Sequence, residues 1–184
     1  MHKFRIKASI LVFVLLLTIC IPGMAKTFRS ADGRVTFTTS DNWQKISFGP
    51  DEVFAEMLSV SLDKDTGVSL YRGKNRFGYR SFKDCSYSFT SSYRDSAIRL
   101  LCESFKISGY DVKVTKADIF DNVITVVIHT FKDGQKGYVF QTFTVKDFVC
   151  YRLTLVANDY TAKDASMVLK SLTVDGMPFS KWLE

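Results

Sequence analysis

The sequence predicts an α+β domain, an antiparallel β-sheet meander with helices packed on both faces. Three observations carry this. Four β-rich runs, Tyr110–Ile119, Val123–Phe131, Gly137–Val145 and Phe148–Val156, follow one another across short polar joints, the pattern of successive hairpins. In the second run Ile124, Val126 and Ile128 alternate with Val123, Val127 and Phe131, so both faces are apolar and both need cover. Apolar stripes at helical spacing stand on either side of the meander, Ala97, Ile98, Leu101, Cys102 and Phe105 before it and Ala162, Ala165, Leu169 and Leu172 after it.

From the amino end, Lys3, Arg5 and Lys7 precede an apolar run from Ile10 to Leu17, and Pro22-Gly23-Met24-Ala25 follows. A basic start, a short apolar stretch and a small-residue exit read as a secretory leader, residues 1–25, cut after Ala25. The run is short of the ~20 apolar residues that a spanning helix needs. Leu17-Thr18-Ile19-Cys20 has the outline of a lipoprotein signal, but the bulky Ile19 stands where a small residue is required. The sequence therefore places residues 26–184 outside the cytoplasm, secreted or periplasmic, as one domain with no transmembrane segment.

Three of the 25 Lys and Arg leave with the leader and none of the 19 Asp and Glu do, so the net charge falls from +6 to +3. That excess is too mild for a nucleic-acid partner. Cys85, Cys102 and Cys150 remain, an odd number in an oxidising compartment. A 102–150 bridge would join the helix before the meander to the meander's last strand; the alternative is three small buried hydrophobes.

Arg34 to Thr39 alternates as a strand, and Trp43 to Phe48 reads as its neighbour. Gly49-Pro50-Asp51-Glu52 then resembles a helix start, with Phe54, Leu58 and Leu62 at spacing four and Gly67 as its end. The competing reading of the same stretch is a strand over Leu58–Leu62 ending in an Asp-Lys-Asp-Thr-Gly turn. The helix before the meander takes Ser91, Ser92 or Asp95 as its cap and Gly109 as its left-handed stop. Within the meander Asp133-Gly134 is the strongest turn signal. The last helix runs from Ala162 to Ser171.

Phe37-Thr38-Thr39-Ser40-Asp41-Asn42-Trp43 is similar to the strand-then-tryptophan opening of the PsbP/DcrB-like domains. Tyr151-Arg152-Leu153-Thr154-Leu155-Val156, followed by Ala165 to Leu172, resembles their last strand and closing helix. The proline usual before that tryptophan is missing, Ser40-Asp41-Asn42 standing in its place. The resemblance spans residues 28–174. It implies a fold and an extracytoplasmic accessory or binding role, and it transfers no catalytic residues.

Chemistry is sparse. His2 leaves with the leader, so His129 is the sole imidazole of the mature chain, and no multi-histidine triad or metal site can be assembled from it. There is no Gly-x-Ser-x-Gly elbow, P-loop or Gly-x-Gly-x-x-Gly. Ser61-Leu62-Asp63-Lys64 has the spacing of a Ser–Lys acylase without its companion motifs, and the calcium-like start at Asp63 fails where Val68 and Lys74 replace the glycine and the closing carboxylate. No cofactor is implied.

One segment is lopsided. Residues 71–94 carry six cations against Asp84 and interleave seven aromatic rings, Tyr71 to Tyr93. Arginine forks hold phosphate or carboxylate, and rings stack on sugars or lie at a lipid interface. Arg72, Lys74, Arg76, Tyr79, Arg80 and Lys83 are the candidate ligand-binding residues, with Trp43 nearby. Anionic lipid, cell-wall polymer or an envelope protein are the partners this chemistry suits. The ordinary reading is a solvated charged face whose rings turn inward. The leading functional expectation is a non-catalytic binding or accessory domain. The alternatives are an atypical hydrolase using His129 and an assembly partner of an envelope complex.

Overall fold

The computed structural model describes residues 25–182. The leader up to Met24 and Cys20 within it lie outside the described residues. Eleven strands, three α-helices and one short 3-10 helix follow one another: β1 (Lys26–Arg29), β2 (Val35–Thr39), β3 (Gln44–Ile46), β4 (Phe54–Asp63), β5 (Thr66–Gly73), the 3-10 turn Phe82–Asp84, α1 (Tyr87–Ile107), β6 (Asp111–Phe120), β7 (Val123–Lys132), β8 (Gln135–Lys146), β9 (Val149–Asn158), α2 (Ala162–Lys170), β10 (Thr173–Val174), β11 (Met177–Pro178) and α3 (Phe179–Trp182). A seven-stranded sheet has the order β3-β4-β5-β9-β8-β7-β6 and a four-stranded sheet the order β1-β2-β10-β11, with every pairing antiparallel.

The meander β6 to β9 forms as its alternation requires. Lys132 pairs with Gln135 across Asp133 (φ 51°) and Gly134 (φ 76°), the two left-handed positions of a tight hairpin turn. Alternate residues of β9 belong to different clusters of buried side chains, Tyr151, Leu153 and Leu155 to one and Cys150 and Val156 to the other, so the clusters lie on opposite faces of the large sheet. On the first face Leu58, Val60, Val68 and Leu70 pack with Phe37, Trp43, Val174, Ala165, Val168 and Trp182, so the small sheet shares the cover with α2 and α3. On the second, Ile124, Val126, Ile128, Val139 and Phe143 pack with Ala97 and the half-buried Tyr93, Ile98, Leu101 and Phe105 of α1. Each of these aliphatic side chains, fully buried, contributes about 1.5–3 kcal/mol relative to exposure.

α1 begins five to nine residues earlier than its expected caps suggested. Ser86, not Ser91, Ser92 or Asp95, accepts the amide of Phe89 at 3.2 Å. It stops at Gly109 (φ 82°): the Gly109 amide reaches Lys106 O, the Tyr110 amide reaches Phe105 O, and the Tyr110 ring stands edge-on to Phe105 at 5.5 Å. Ahead of the helix, buried Asn122 ties the chain down, accepting from the Phe82 amide and Ser81 Oγ and donating to Val145 O.

Three expectations need correction. Residues 54–63 form β4, not a helix. Leu58 and Val60 share one face by ordinary alternation, and the register irregularity between Glu56 and Leu58 turns Phe54 to the opposite face, so the apparent helical spacing of Phe54, Leu58 and Leu62 comes from a bulged strand; the Asp-Lys-Asp-Thr stretch is its hairpin turn to β5. The Trp43–Phe48 segment pairs through β3 with β4 rather than with β2, whose neighbours are β1 and β10. Cys85, Cys102 and Cys150 are all free thiols, with no 102–150 bridge. The β10–β11 hairpin, turned at Asp175 (φ 53°) and Gly176 (φ 76°), went unread because two-residue strands show no periodicity.

Candidate functional site

α1 lies along β6 and β7. The remaining half of the same sheet face, formed by β3, β4, β5 and β9, opens as a cleft of about 1090 Å3 beside the helix. A smaller chamber of about 460 Å3 runs on beneath α1 toward Val53, and Ser104, Gln141 and Arg152 line both. Such volumes are those of small-molecule sites, ~300–1,000 Å3.

Register explains the chemistry of the floor. Cross-strand neighbours point to the same side. Ser59, Ser69, Thr154 and Gln141 stand in one row across β4, β5, β9 and β8, and Glu56, Tyr71, Arg152 and Phe143 stand in the next. Beyond β8 the same rows continue into Val126 and Ile124 under the helix. The face thus changes from aliphatic to polar where the helical cover ends. Gln141 donates to Thr154 Oγ1 at 3.2 Å, while buried Ser59 Oγ makes no hydrogen bond of ordinary geometry.

Arg152 is the centre of this floor. Its guanidinium lies between two rings, 4.6 Å from the centroid of Phe54 and 4.4 Å from that of Tyr71, and pairs with Asp51 at 2.8 Å. Its Nε is buried without an acceptor. Partial burial works against the charge of Asp51, but the amides of Phe54 and Val53 and the Arg152 guanidinium hold its carboxyl below the usual range. Burial, and then the Glu56 carboxylate, push the Tyr71 phenol up, so it stays a neutral donor beside Ser59 and Ser69.

The six residues singled out from the sequence lie elsewhere. Arg72 ends β5 on an exposed side and, with Lys74 and Arg76, lines a groove of about 520 Å3 that Asp147 shares. Lys74 Nζ donates to the Asp51 carbonyl, and the Arg76 guanidinium lies 4.2 Å over the ring of Phe148, an aromatic residue in left-handed backbone (φ 67°). Arg80 and Lys83 border a neighbouring groove and reach Asp147 at 3.4 Å and Asp121 at 2.8 Å. Tyr79 leans on Phe77 and Phe89, and the Phe77 ring in turn meets Phe89, Phe82 and Tyr93 edge-on. Most rings of the segment thus pack on one another, while two of its cations, Arg80 and Lys83, meet turn carboxylates. Trp43, expected nearby, is 1% exposed in the core of the opposite face.

His129 is half-buried, edge-on to Tyr138 at 4.9 Å. Burial first, then Lys136 and Lys113, lower its pKa, and it lines neither chamber. Ser61 Oγ donates to the Asp63 carbonyl, and Lys64 faces Asp65 at 3.9 Å, so Ser61 and Lys64 are not arranged as a nucleophile and its base. Among the described residues no three His, Cys, Asp or Glu side chains converge as metal ligands, and no helix is long and apolar enough to cross a membrane.

Sequence reasoning missed Arg152. The signal was there: it is the one charge in the run Phe148–Val156. Ser59 and Ser69 are likewise polar residues at strand positions whose neighbours, Leu58, Val60, Val68 and Leu70, are buried aliphatics.

No family model matches the chain, and no curated protein matches it. Among solved structures it is similar to the solution structure of cyanobacterial PsbP (CyanoP) from Synechocystis, with 11% identity, coverage of 83% of this chain and 93% of that one, and a TM-score of 0.46. It is also similar to a crystal structure of a protein from Bacteroides thetaiotaomicron, with 12% identity, coverage of 81% and 48%, and a TM-score of 0.43. The resemblance is one of fold. It carries nothing about ligand or activity.

Proposed function

We propose that the chain is an exported, non-catalytic binding domain whose ligand occupies the cleft between α1 and the uncovered half of the large sheet. The observation that carries this is the polar floor: Ser69, Thr154, Gln141 and Arg152 stand side by side where a structural sheet would present aliphatics, in the wall of a cleft large enough for a small molecule, with Ser59 buried at the end of the row. Burying a polar donor without a partner, as at Arg152 Nε, costs about 1–3 kcal/mol, a cost that a ligand able to pair it offsets. The solitary, lysine-flanked His129 supports binding rather than turnover, and the basic start and apolar run of residues 1–25 support export.

Nile red, a neutral dye that brightens in apolar sites, tests the location. The native domain is expected to bind it, and Ser104→Trp, which plugs the junction of the two chambers from an exposed helix position, to abolish binding without lowering Tm. Equal binding by the plugged variant would remove the cleft from consideration.

The groove that Arg72, Lys74 and Arg76 line favours a second reading, a separate contact for an anionic envelope surface involving Arg72, Lys74, Arg76, Tyr79, Arg80 and Lys83.

A further inference from the structure

We infer that the cleft takes an amphipathic anion, with a carboxylate or phosphate group on the fork of Arg152 and an apolar tail in the smaller chamber beneath α1. This rests on the binding role proposed for the cleft and adds the ligand's chemical class.

Three features point to it. The first is the preparation of Arg152. Two rings fix the plane of its guanidinium, so its donors are already oriented before a ligand arrives. One of those donors, Nε, has no acceptor, and the carboxylate that serves another, Asp51, is itself 43% exposed on the loop before β4. Arginine binds carboxylate and phosphate through two parallel hydrogen bonds, and a single partner that leaves Nε empty does not complete that geometry. Asp51 therefore acts as an internal stand-in that an incoming anion replaces.

The second feature is the character of the smaller chamber. Val53, Phe54, Ala97, Leu100, Leu101 and Phe143 line it, meeting Arg152 at the junction. Val53 and Leu100 are 60% and 59% exposed at its mouth, and Phe48, 64% exposed, stands at the larger chamber. Large apolar side chains gathered at the rim of one concavity mark a place where apolar surface is meant to be covered. The third is charge count. Arg152, beside Asp51, is the cation of the junction, and at the far, turn end of the larger chamber Lys64 stands between Asp63 and Asp65, two carboxylates that would repel further anionic groups. A single anionic group next to an apolar body fits that distribution; a polyanion does not.

The test measures displacement of bound Nile red by dodecanoate, dodecyl phosphate and uncharged dodecanol. Both anions are expected to displace the dye at concentrations about tenfold lower than dodecanol, the scale of one charge-assisted pair; the tighter of the two identifies the headgroup. Arg152→Gln is expected to erase that preference while leaving dodecanol unchanged. Asp51→Asn, which removes the competing carboxylate, is expected to tighten dodecanoate binding several-fold, and it decides the matter alone should Arg152→Gln fail to fold. Equal displacement by all three compounds, or dodecanoate binding indifferent to Asp51→Asn, overturns the inference while leaving the Nile red site standing.

Discussion

The Tyr93 hydroxyl of α1 meets the Cys150 thiol of β9 at 3.4 Å, a contact that joins the helix to the strand bearing Arg152. Burial raises the pKa of both groups, that of Cys150 to about 11. A thiol attacks as its thiolate, so Cys150 is expected to resist alkylation by iodoacetamide at pH 8 until the domain unfolds. Cys85 and Cys102, half-buried and also shifted upward by burial, are expected to label slowly but sooner. Peptide mapping after timed alkylation checks the order, and early labelling of Cys150 would contradict the packing of α1 on this face.

Acid should weaken the fold in a defined window. Asp32, held by the Ser30 hydroxyl and the Arg34 amide, and Asp175, held by Arg34, titrate below the ordinary 3.8, as Asp51 does. A depressed native pKa means that the unfolded chain takes up the proton first as pH falls, so stability from these groups is complete above the ordinary carboxylate range and drains away through the lower native values. The urea midpoint is expected to decline slightly from pH 7 to 5, where the unfolded chain protonates His129 first, and to drop further below pH 4. Asp175→Asn, which breaks the two-point contact with Arg34, is expected to lower the midpoint at pH 6 and hardly at pH 2.5.

Gly137 on β8 faces Thr130 so closely that an added methyl group would stand 2.5 Å from Thr130 Oγ1, which belongs to a buried residue. Gly137→Ala is expected to cost about 1–3 kcal/mol through overpacking. The double variant with Thr130→Ala is expected to recover most of that, and a purely additive result in chemical denaturation would place the cost in the backbone instead.

For the basic segment, reversal of Arg72, Arg76 and Arg80 to Glu is expected to abolish retention of the domain on anionic liposomes or cell-wall material. Retention unchanged in a folded variant would end the second reading. Because Arg80 already pairs with Asp147, most of the loss is expected from Arg72 and Arg76, which single reversals separate.

The meander and α2 were legible because their signals are local. Alternation in Val123–Phe131 and the Asp133-Gly134 turn specify a hairpin without reference to distant residues. β4 was harder: a bulge near Met57 breaks the period of two, and only pairing with β5, itself buried throughout most of its length, decides between strand and helix. The cleft was not legible at all, although each of its residues was in view. Ser59, Ser69, Thr154 and Gln141 come from four strands, and their adjacency is a product of register. The charged stretch 71–94 drew attention because its residues are neighbours in sequence, whereas in space Asp121 and Asp147 arrive from two hairpin turns to meet Lys83 and Arg80.

The small sheet interleaves the two ends of the chain, β10 completing the edge of β2 and Arg34 clasping Asp175. A ribosome delivers Val35 about 140 residues ahead of Val174, its strand partner. Until Val174 and Trp182 emerge, Phe37 and Trp43 lack part of their cover, so the nascent polypeptide carries a sticky, half-finished surface while the intervening residues are made. Loss of the last dozen residues would make that transient condition permanent, exposing the product to holdase capture and proteolysis.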